Sequence, residues 1–354
     1  RNSRRLAVEK ELTLRVAEAI VDRLKSNRVE YFFLLTGGDQ PLWIALHDAG
    51  IKMVVARSEF SAVYMADGYA RASGNPAIAY GQAGPGAANV ASALADPYWA
   101  QSPVVALTGA NSSKTNYVGE YQSLDQMPMF APVTKWSGFA ANAEKVPDLV
   151  SLAIRQAIAG TRGPTHLDVP KDLFGLDIEY EPTARAELSR PTRIPPDPAG
   201  VDQACKELLV AEKPVILAGD GAVQSGAGQS IARLAEELGI PVATTMGGKT
   251  ALPSEHALNI GVVGRYSSKA ANDLVSQSDC VLVLGSRLGG LATKGYSIPS
   301  RGAKIISVNT DPESFDVSYP ISIKILGDAN LTVEAIAEQL TGKLLSRPAK
   351  DWAD

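Results

Sequence analysis

The residue best placed to do chemistry is Glu59, a carboxylic acid that stands where a short apolar strand runs into a helix. The chain from 53 to 71 reads MVVARSEFSAVYMADGYAR. Ser58 can cap the helix by accepting a backbone N–H bond, and the apolar residues after it predict a helix covered on most faces. A buried acid at that point can share a proton in a reaction. It could also serve only to complement the helix dipole.

Strands alternate with helical patterns along the whole chain, and this alternation favours α/β architecture with parallel sheets and right-handed crossovers. Apolar runs without polar alternation are typical of strands buried on both faces. In the first half these runs are Met53–Ala56, Pro103–Thr108 and His166–Val169. In the second half we predict strands at Val215–Ala218, Val242–Thr245, Cys280–Leu284 and Lys304–Val308, with helices at Gly228–Leu238, Ser268–Gln277 and Leu331–Leu340.

The fold class is therefore predicted as α/β, with two doubly wound parallel-sheet domains. A polar, proline-rich stretch separates the two halves and reads as a surface linker. The predicted parts are a first domain at 1–175, a linker at 176–199, a second domain at 200–345 and the start of a further linker at 346–354.

Composition excludes several functional classes. The chain has 354 residues, of which 45% are hydrophobic and 20% charged, with a formal net charge of -4. No basic stripe for nucleic acid is present, since the clustered Arg1, Arg4 and Arg5 are typical of a solvated chain end. No uncharged apolar run approaches the length of a membrane span. Cys205 and Cys280 lie far apart in apolar contexts, which predicts a reduced pair and a cytoplasmic protein.

Six segments of the first half resemble the pyrimidine-binding domain of thiamine-diphosphate (ThDP) enzymes, particularly the acetolactate-synthase-like group. They agree in order and spacing, which makes a chance match of short motifs an inadequate explanation. The segments are YFFLLTGGDQPL at 31–42, VVARSEFSAVYMADGYAR at 54–71, AYGQAGPGAAN at 79–89, VVALTG at 104–109, YQSLD at 121–125 and GPTHLDVPKD at 163–172.

The resemblance implies a role for Glu59. Its carboxyl would bond N1′ of the ThDP aminopyrimidine and favour the 4′-imino tautomer, which removes the proton from C2 of the thiazolium. The same resemblance places further residues near the cofactor or substrate, namely Thr36, Gly37, Gly38, Asp39, Gly84, Asn89 and Gln122.

The second half resembles the central domain of the same enzymes, which holds FAD in some relatives, ADP in others and nothing in many. Glycines at strand ends allow close approach of backbone to phosphate, and polar side chains there could bond a ribose. Simple tight turns explain the same glycines equally well. Candidate residues for a nucleotide or an anionic substrate are Arg162, Lys171, Gly219, Gly221, Gly285, Arg287, Asn309 and Asp311.

The diphosphate-binding domain of the family has no counterpart in the sequence. Its GDG start is followed by an Asn that helps to ligate Mg²⁺, whereas the GDG at 219–221 has no Asn after it until Asn259 and follows a central-domain strand. We therefore assign no metal ligand in this chain. The resemblance implies a second subunit, or a missing part of a longer chain, that supplies the diphosphate and Mg²⁺ sites. It also implies a dimer or tetramer of the complete unit.

The implied reaction is decarboxylation of a 2-keto acid followed by ligation of the resulting enamine to a second carbonyl, as in acetolactate synthases. The adjacent His pair of simple decarboxylases is absent, since His47, His166 and His256 are isolated and interpreted as structural. Three alternatives stay open: a ThDP-dependent decarboxylase or lyase, a non-catalytic partner subunit that keeps the fold, and a nucleotide-binding protein that uses only the second domain. Phe60 and Tyr121 add bulk that indicates an altered acceptor pocket.

Overall fold

The computed structural model describes residues 12–115, 118–182 and 192–340. The chain divides into two compact units between Pro191 and Thr192. Each unit contains a six-stranded sheet in which all neighbouring strands are parallel. The predicted class, two doubly wound α/β domains, is thereby confirmed.

The first unit carries its sheet in the order β3-β2-β4-β5-β7-β6, and an antiparallel pair, β1 and β8, forms a separate ribbon. Its strands are β1 (Leu12–Arg15), β2 (Tyr31–Leu34), β3 (Lys52–Val55), β4 (Ala77–Gly81), β5 (Val104–Ala110), β6 (Trp136–Phe139), β7 (Thr165–Pro170) and β8 (Asp177–Tyr180). Its helices are α1 (Val16–Ser26), α2 (Gln40–Asp48), α3 (Glu59–Ser73), α4 (Pro85–Ala93), α5 (Ala95–Trp99), α6 (Met127–Phe130) and α7 (Val146–Ile158).

The central strands of this sheet are the most apolar ones. Every residue of β4, β5 and β7 is buried, as expected for parallel strands covered by helices on both faces. Strand β3 differs, because it lies at the edge of the sheet and Val55 is 60% exposed. The prediction that the run at Met53–Ala56 is buried on both faces is therefore wrong, since an edge strand has only one neighbour.

Helix α3 begins as predicted at the Ser58 cap, whose hydroxyl accepts the backbone N–H of Ser61 at 3.2 Å. The helix ends at Gly74, which adopts the left-handed conformation that glycine tolerates best. One face packs into the unit, but Phe60, Tyr64 and Met65 are exposed on the other. The prediction of a helix covered on most faces is wrong for this side, because the sheet contacts only one face of α3.

The linker prediction also needs correction. Strand β8 lies inside the range predicted as linker and pairs with β1, so Leu12 faces Tyr180 and Arg15 faces Asp177. Ile178 and Tyr180 are buried in the core of the first unit. The other linker residues at 183–191, the basic start of the chain and the predicted segment at 346–354 lie outside the described residues.

The second unit carries its sheet in the order β11-β10-β9-β12-β13-β14. Its strands are β9 (Pro214–Ala218), β10 (Val242–Thr244), β11 (Asn259–Val262), β12 (Cys280–Leu284), β13 (Lys304–Asn309) and β14 (Ile323–Leu326). Its helices are α8 (Pro198–Val210), α9 (Asp220–Gln224), α10 (Gly228–Leu238), α11 (Lys269–Gln277) and α12 (Ala329–Leu340). Cys205 and Cys280 are free and buried, and burial raises the pKa of the Cys280 thiol to about 12.

Among the residues that the structure describes, no helix combines the length and apolar character needed to span a membrane.

Close backbone packing at the carboxyl end of β9 generates a stability prediction. A Cβ on Gly248 would lie 2.1 Å from the carbonyl oxygen of Ala218, whereas a Cβ on Gly289 would meet no atom within 4 Å. Gly248→Ala is expected to lower the free energy of unfolding by about 1–3 kcal/mol through overpacking, and Gly289→Ala to change it by less than about 0.5 kcal/mol. Urea unfolding of the two variants measures the difference. Equal unfolding free energies for the two variants would contradict the close packing of Gly248 against the Ala218 carbonyl.

Candidate active site

Except for Arg162, the residues of the first unit that were singled out by their chemistry follow the carboxyl ends of β2, β3, β4, β5 and β7. In the sheet, β2 lies between β3 and β4. The chain therefore adds β3 on one side of β2 and then crosses to add β4 on the other side. Parallel α/β sheets bind ligands outside their carboxyl ends where the strand order reverses in this way. The loops at this edge therefore form the candidate ligand site of the first unit.

Glu59 is buried at the start of α3, with 8% of its surface exposed. Its Oε2 accepts a hydrogen bond of 3.0 Å from Nδ2 of Asn89, which lies on α4. On the other side, a Cβ added to Gly86 would lie 3.1 Å from Oε1. The carboxyl is thus oriented through one oxygen, while glycine at 86 keeps side-chain atoms away from the other.

The turn before α4 requires a glycine at 84. Gly84 has φ 70° and ψ -111°, and a Cβ there would lie 2.3 Å from the carbonyl oxygen of Gln122. Its N–H donates to Oε1 of Gln126 at 2.6 Å. The predicted residues Gly84 and Gln122 are therefore close neighbours, and the bond to Gln126 fixes the turn from which α4 begins.

A buried polar network lies behind this turn. Nε2 of Gln126 donates to the carbonyl oxygen of Gly109 at 3.2 Å and to Oδ1 of Asp168 at 2.7 Å. The Thr108 hydroxyl donates to the same Asp168 oxygen at 2.7 Å. Burial raises the pKa of Asp168 to about 7, although these two hydrogen bonds oppose the shift. The network therefore holds a carboxyl that changes its charge near neutral pH.

His166 completes the network and has one consistent tautomer. Because the Thr108 hydroxyl gives its proton to Asp168, it must accept from Nε2–H of His166, 2.7 Å away. Nδ1 of His166 then accepts from the hydroxyl of Ser137, also at 2.7 Å. The imidazole stacks on Phe130, and burial lowers the pKa of His166 to about 3. Burial thus favours the neutral histidine, and both of its ring nitrogens are engaged in the network.

A cavity of about 320 Å³ opens at the same sheet edge. Four of the predicted residues line it: Gly38, Asp39, Gln122 and Lys171. The Tyr80 hydroxyl donates to the Asp39 carboxylate, and burial raises the pKa of Asp39. The Lys171 ammonium pairs with the Glu120 carboxylate at the cavity wall.

Gln82 lies between this cavity and Glu59. It lines the cavity, and a Cβ on Gly37 would lie 2.5 Å from its Oε1. A Cβ on Gly86 would come within 3.5 Å of the Gln82 Cβ as well as 3.1 Å of Glu59 Oε1. The glycine-rich turn that contains Gly37 and the exposed Thr36 is thus packed against the residue that separates the two parts of the site.

Other predicted residues are not brought to this edge. Arg162 precedes β7 and donates to the carbonyl oxygen of Gly74 at 3.1 Å, at the amino ends of the strands. It lies at the opposite edge from Glu59, because the residues before a parallel strand and those after it are separated by the length of the strand.

In the second unit, the predicted nucleotide residues are engaged in their own turns. A Cβ on Gly219 would lie 2.4 Å from the Gly285 carbonyl oxygen, and one on Gly221 2.8 Å from the Gly285 Cα. Asn309 Oδ1 accepts the N–H of Asp311 at 3.1 Å. The Asp311 carboxylate in turn accepts the N–H of Glu313 and the hydroxyl of Ser314. Arg287 follows the same β12 turn as Gly285. These contacts favour the tight-turn interpretation.

Fold and geometry together define a doubly wound α/β protein with a candidate ligand site at the carboxyl edge of its first sheet. Two family models match this chain: "Thiamine pyrophosphate enzyme, N-terminal TPP binding domain" over residues 14–129, and "Thiamine pyrophosphate enzyme, central domain" over residues 201–336. The chain belongs to the thiamine pyrophosphate enzymes, and the resemblance read from the sequence is confirmed.

Curated relatives extend this result along nearly the whole chain. It is 35% identical, over 95% of its length, to a probable acetolactate synthase large subunit of Methanocaldococcus jannaschii. It is 36% identical over 93% to a sulfoacetaldehyde acetyltransferase of Alcaligenes xylosoxydans xylosoxydans, and 31% identical over 96% to a probable 2-ketoarginine decarboxylase of Pseudomonas aeruginosa. The chain spans 57%, 54% and 60% of the lengths of these relatives.

Sequence reasoning missed several residues of the site. Gln82 stands within a resembled segment, so its position could have been noticed. Glu120 and Gln126 flank another resembled segment, and Asn111 follows a predicted strand closely. Nothing in their spacing marks them, because their contacts join loops that are distant in the sequence.

The raised pKa of Asp168 generates a prediction on stability against pH. An unfolded Asp ionises near pH 3.9, so between about pH 4 and pH 7 only the unfolded state loses this proton and the folded state is progressively destabilised. Asp168→Asn keeps the Oδ1 acceptor without the charge. We expect it to be more stable than the wild type above pH 7, by an amount on the order of 4 kcal/mol at most, and the gain to fade towards pH 4. Urea unfolding across this range measures the gain.

Asp172→Asn is the control for that measurement. The pKa of Asp172 lies below its ordinary value, because hydrogen bonds from the Ser113 hydroxyl and N–H, together with bonds from the Asp172 backbone and Ser112, outweigh the opposite effect of burial. Loss of this carboxylate should give no gain that grows with pH. Parallel pH profiles for the wild type and Asp168→Asn would contradict the assignment.

Proposed function

We propose that this chain supplies the pyrimidine-binding half of the active site of a ThDP-dependent enzyme that decarboxylates a 2-keto acid and joins the product to a second carbonyl, in the manner of acetolactate synthases. The observation that carries the proposal is the buried Glu59 carboxyl, held by Asn89 at one oxygen and left clear of side chains at the other. The family membership and the names of the relatives support it.

The residues around Glu59 fit the pyrimidine ring of ThDP. Within the described ranges, no residue donates a hydrogen bond to Oε1, whereas Oε2 is occupied by Asn89. A ring nitrogen that needs a carboxyl partner can therefore be served by Oε1, with Gly86 providing the space. Glu59 holds or releases the proton at that nitrogen, and Asn89 fixes the direction in which the carboxyl points.

When bound, ThDP supplies the carbon nucleophile and the electron sink that the protein lacks. This chain contributes position and proton handling: Gly84 and Gln126 fix the turn, and the cavity beside Gln82 offers room for a substrate. A second subunit, or a further part of a longer chain, is proposed to carry the diphosphate and Mg²⁺ sites, and relatives named as large subunits agree with a multi-subunit enzyme.

A second candidate function is simple decarboxylation, which is favoured by the relative named as a probable 2-ketoarginine decarboxylase. Both reactions use the same Glu59, so they differ in their products and not in this part of the site. Analysis of the products formed from pyruvate separates them, because a carboligase yields acetolactate and a decarboxylase yields acetaldehyde.

Glu59→Gln tests the proposal in the complete enzyme, assembled with whichever polypeptide carries the diphosphate-binding half. Gln cannot exchange a proton as a carboxyl does, so carbon dioxide release is expected to fall by about 10²- to 10⁴-fold. ThDP binding, followed by quenching of protein fluorescence, should persist. Unfolding free energy should change by less than about 1 kcal/mol, the scale of a helix-dipole contact.

Ser268→Ala is the matched control. The Ser268 hydroxyl caps α11 by accepting the Ala271 N–H at 3.2 Å, the same distance as at Ser58. Its loss should cost about 1 kcal/mol of stability and leave carbon dioxide release unchanged. If Glu59→Gln behaves like this control, Glu59 is only a helix-start residue and the chain is a non-catalytic partner.

A further inference from the structure

A continuous line of hydrogen bonds connects the buried Asp168 carboxyl with Glu59. Nε2 of Gln126 donates to Asp168 Oδ1 at 2.7 Å, and Oε1 of the same amide accepts the Gly84 N–H at 2.6 Å. Gly84 is the N-cap of α4, which carries Asn89, and Asn89 Nδ2 donates to Glu59 Oε2 at 3.0 Å. The carboxyl behind the site and the carboxyl within it are therefore joined by two side-chain amides and the start of one helix.

The orientation of the Gln126 amide is fixed by groups that have only one role each. The Gly84 N–H can only donate, and the Gly109 carbonyl oxygen, which accepts Nε2 at 3.2 Å, can only accept. A reversed amide would leave both of them without a partner. The amide therefore presents its nitrogen to Asp168 and its oxygen to the start of α4, whatever the charge on Asp168.

The charge on Asp168 can act along this line by polarisation. A hydrogen bond to an ionised acceptor is stronger than one to a neutral acceptor, and hydrogen bonds in a chain polarise one another. When Asp168 is ionised, electron density in the Gln126 amide shifts from the nitrogen towards the oxygen, so Oε1 becomes a better acceptor for the Gly84 N–H. Protonation of Asp168 weakens that bond, and the turn before α4 is then held less firmly.

The titratable groups beside Asp168 are His166 on the same strand, Tyr80 on β4 and, beyond Tyr80, Asp39. Burial raises the pKa of Asp168 to about 7 and lowers the pKa of His166 to about 3. Burial raises the pKa of Tyr80 well above its ordinary value, and it also raises the pKa of Asp39, which accepts the Tyr80 hydroxyl. Strands β5 and β6 and helix α6 contain no acidic or basic residue. His166 and Tyr80 stay neutral while Asp168 changes its charge, so Asp39 is the group that an experiment must separate.

Helix α7 contacts the opposite face of β7. Thr165 donates through Oγ1 to a carbonyl oxygen of α7, and side chains alternate along a strand, so the Asp168 side chain lies on the other face. The charged side chains of α7, those of Asp148 and Arg155, are exposed. Their charges are therefore separated from Asp168 by the thickness of the sheet.

We propose that Asp168 is a remote positioning residue for Glu59, and that proton binding at Asp168 regulates the site. Its charge, passed through the Gln126 amide to the start of α4, sets how firmly Asn89 holds the Glu59 carboxyl. The consequence for catalysis rests on the function proposed above, whereas the coupling itself can be measured in the chain without cofactor.

The test is a pH titration of the full chain, labelled with ¹³C and ¹⁵N and followed by NMR. The Asp168 carboxyl carbon, assigned by its loss in Asp168→Asn, reports the ionisation directly. The Gly84 amide proton is expected to move downfield with the same midpoint, near pH 7, because its hydrogen bond strengthens, and the Asn89 NH₂ resonances should follow. Gly84 and Asn89 resonances that do not follow Asp168, or an Asp168 carboxyl that does not titrate near neutral pH, would overturn the proposal.

Two variants interrupt the line at different points. Asp168→Asn keeps the acceptor without the charge, so the Gly84 and Asn89 resonances should lose this titration. Gln126→Met has a similar length but removes both ends of the amide, so Asp168 should still titrate while Asn89 no longer follows it. In Glu59→Gln the Asn89 shift should persist, because the glutamine at that position has no proton to lose. A shift of Asn89 that disappears in Glu59→Gln and survives in Asp168→Asn would belong to Glu59 and defeat the assignment.

Asp39→Asn is the matched control. Asp39 is also buried with a raised pKa, but it accepts from Tyr80 and not from Gln126. The titration of the Gly84 amide should therefore persist in this variant. Its loss would assign the titration to Asp39 and overturn the role of Asp168.

In the complete enzyme the same coupling predicts a difference between two pH profiles. The ratio of carbon dioxide release by the wild type to that by Asp168→Asn should rise about fivefold as the pH increases through 7, the scale by which a charge-assisted hydrogen bond exceeds a neutral one. A ratio that stays constant with pH would overturn the regulatory role.

The two proposals fail in different ways. If Glu59→Gln abolishes activity while Gly84 and Asn89 do not follow Asp168, the ThDP function stands and the coupling is wrong. If Gly84 and Asn89 follow Asp168 while Glu59→Gln keeps full activity, the coupling stands and the proposed role of this chain in catalysis is wrong.

Discussion

The geometry of the first unit's site depends on one buried amide, that of Gln126. Its oxygen accepts the Gly84 N–H, and its nitrogen donates to Gly109 and Asp168. The turn before α4, the end of β5 and the middle of the β7 segment come from distant parts of the chain. In a parallel sheet nothing in the ladder itself fixes the loops at the carboxyl edge, so a side chain with both a donor and an acceptor is needed to join them. The hydrogen bond from Gly84 to Gln126 fixes the start of α4 and therefore the position of Asn89. Asn89 in turn orients the Glu59 carboxyl.

Much of this arrangement could be predicted from the sequence, because the information was local. The runs at Cys280–Leu284 and Gly228–Leu238 form the predicted strand and helix with the predicted bounds. Ser58 caps α3 for the reason that its hydroxyl suggests. The burial of Glu59 followed from a strand and a helix that meet at that residue.

The rest could not be predicted, because it depends on which strands become neighbours. Val55 is apolar but exposed, since β3 ends up at the edge of the sheet. β8 was read as linker because its partner, β1, lies at the other end of the unit. The contacts of Gln126 likewise require knowledge of the strand order, and no spacing rule within a single segment contains it.

The ribbon of β1 and β8 has a consequence for how this unit can be used in larger proteins. Leu12–Arg15 and Asp177–Tyr180 run side by side, so the first unit enters and leaves its fold at one place and each end is fastened to the other. A unit closed in this way can be joined to different neighbours without opening its sheet, because a new connection alters only the surface beside the ribbon. Such a unit is suited to exchange between polypeptides as a self-contained piece, and the loops at the carboxyl edge of its sheet keep their arrangement.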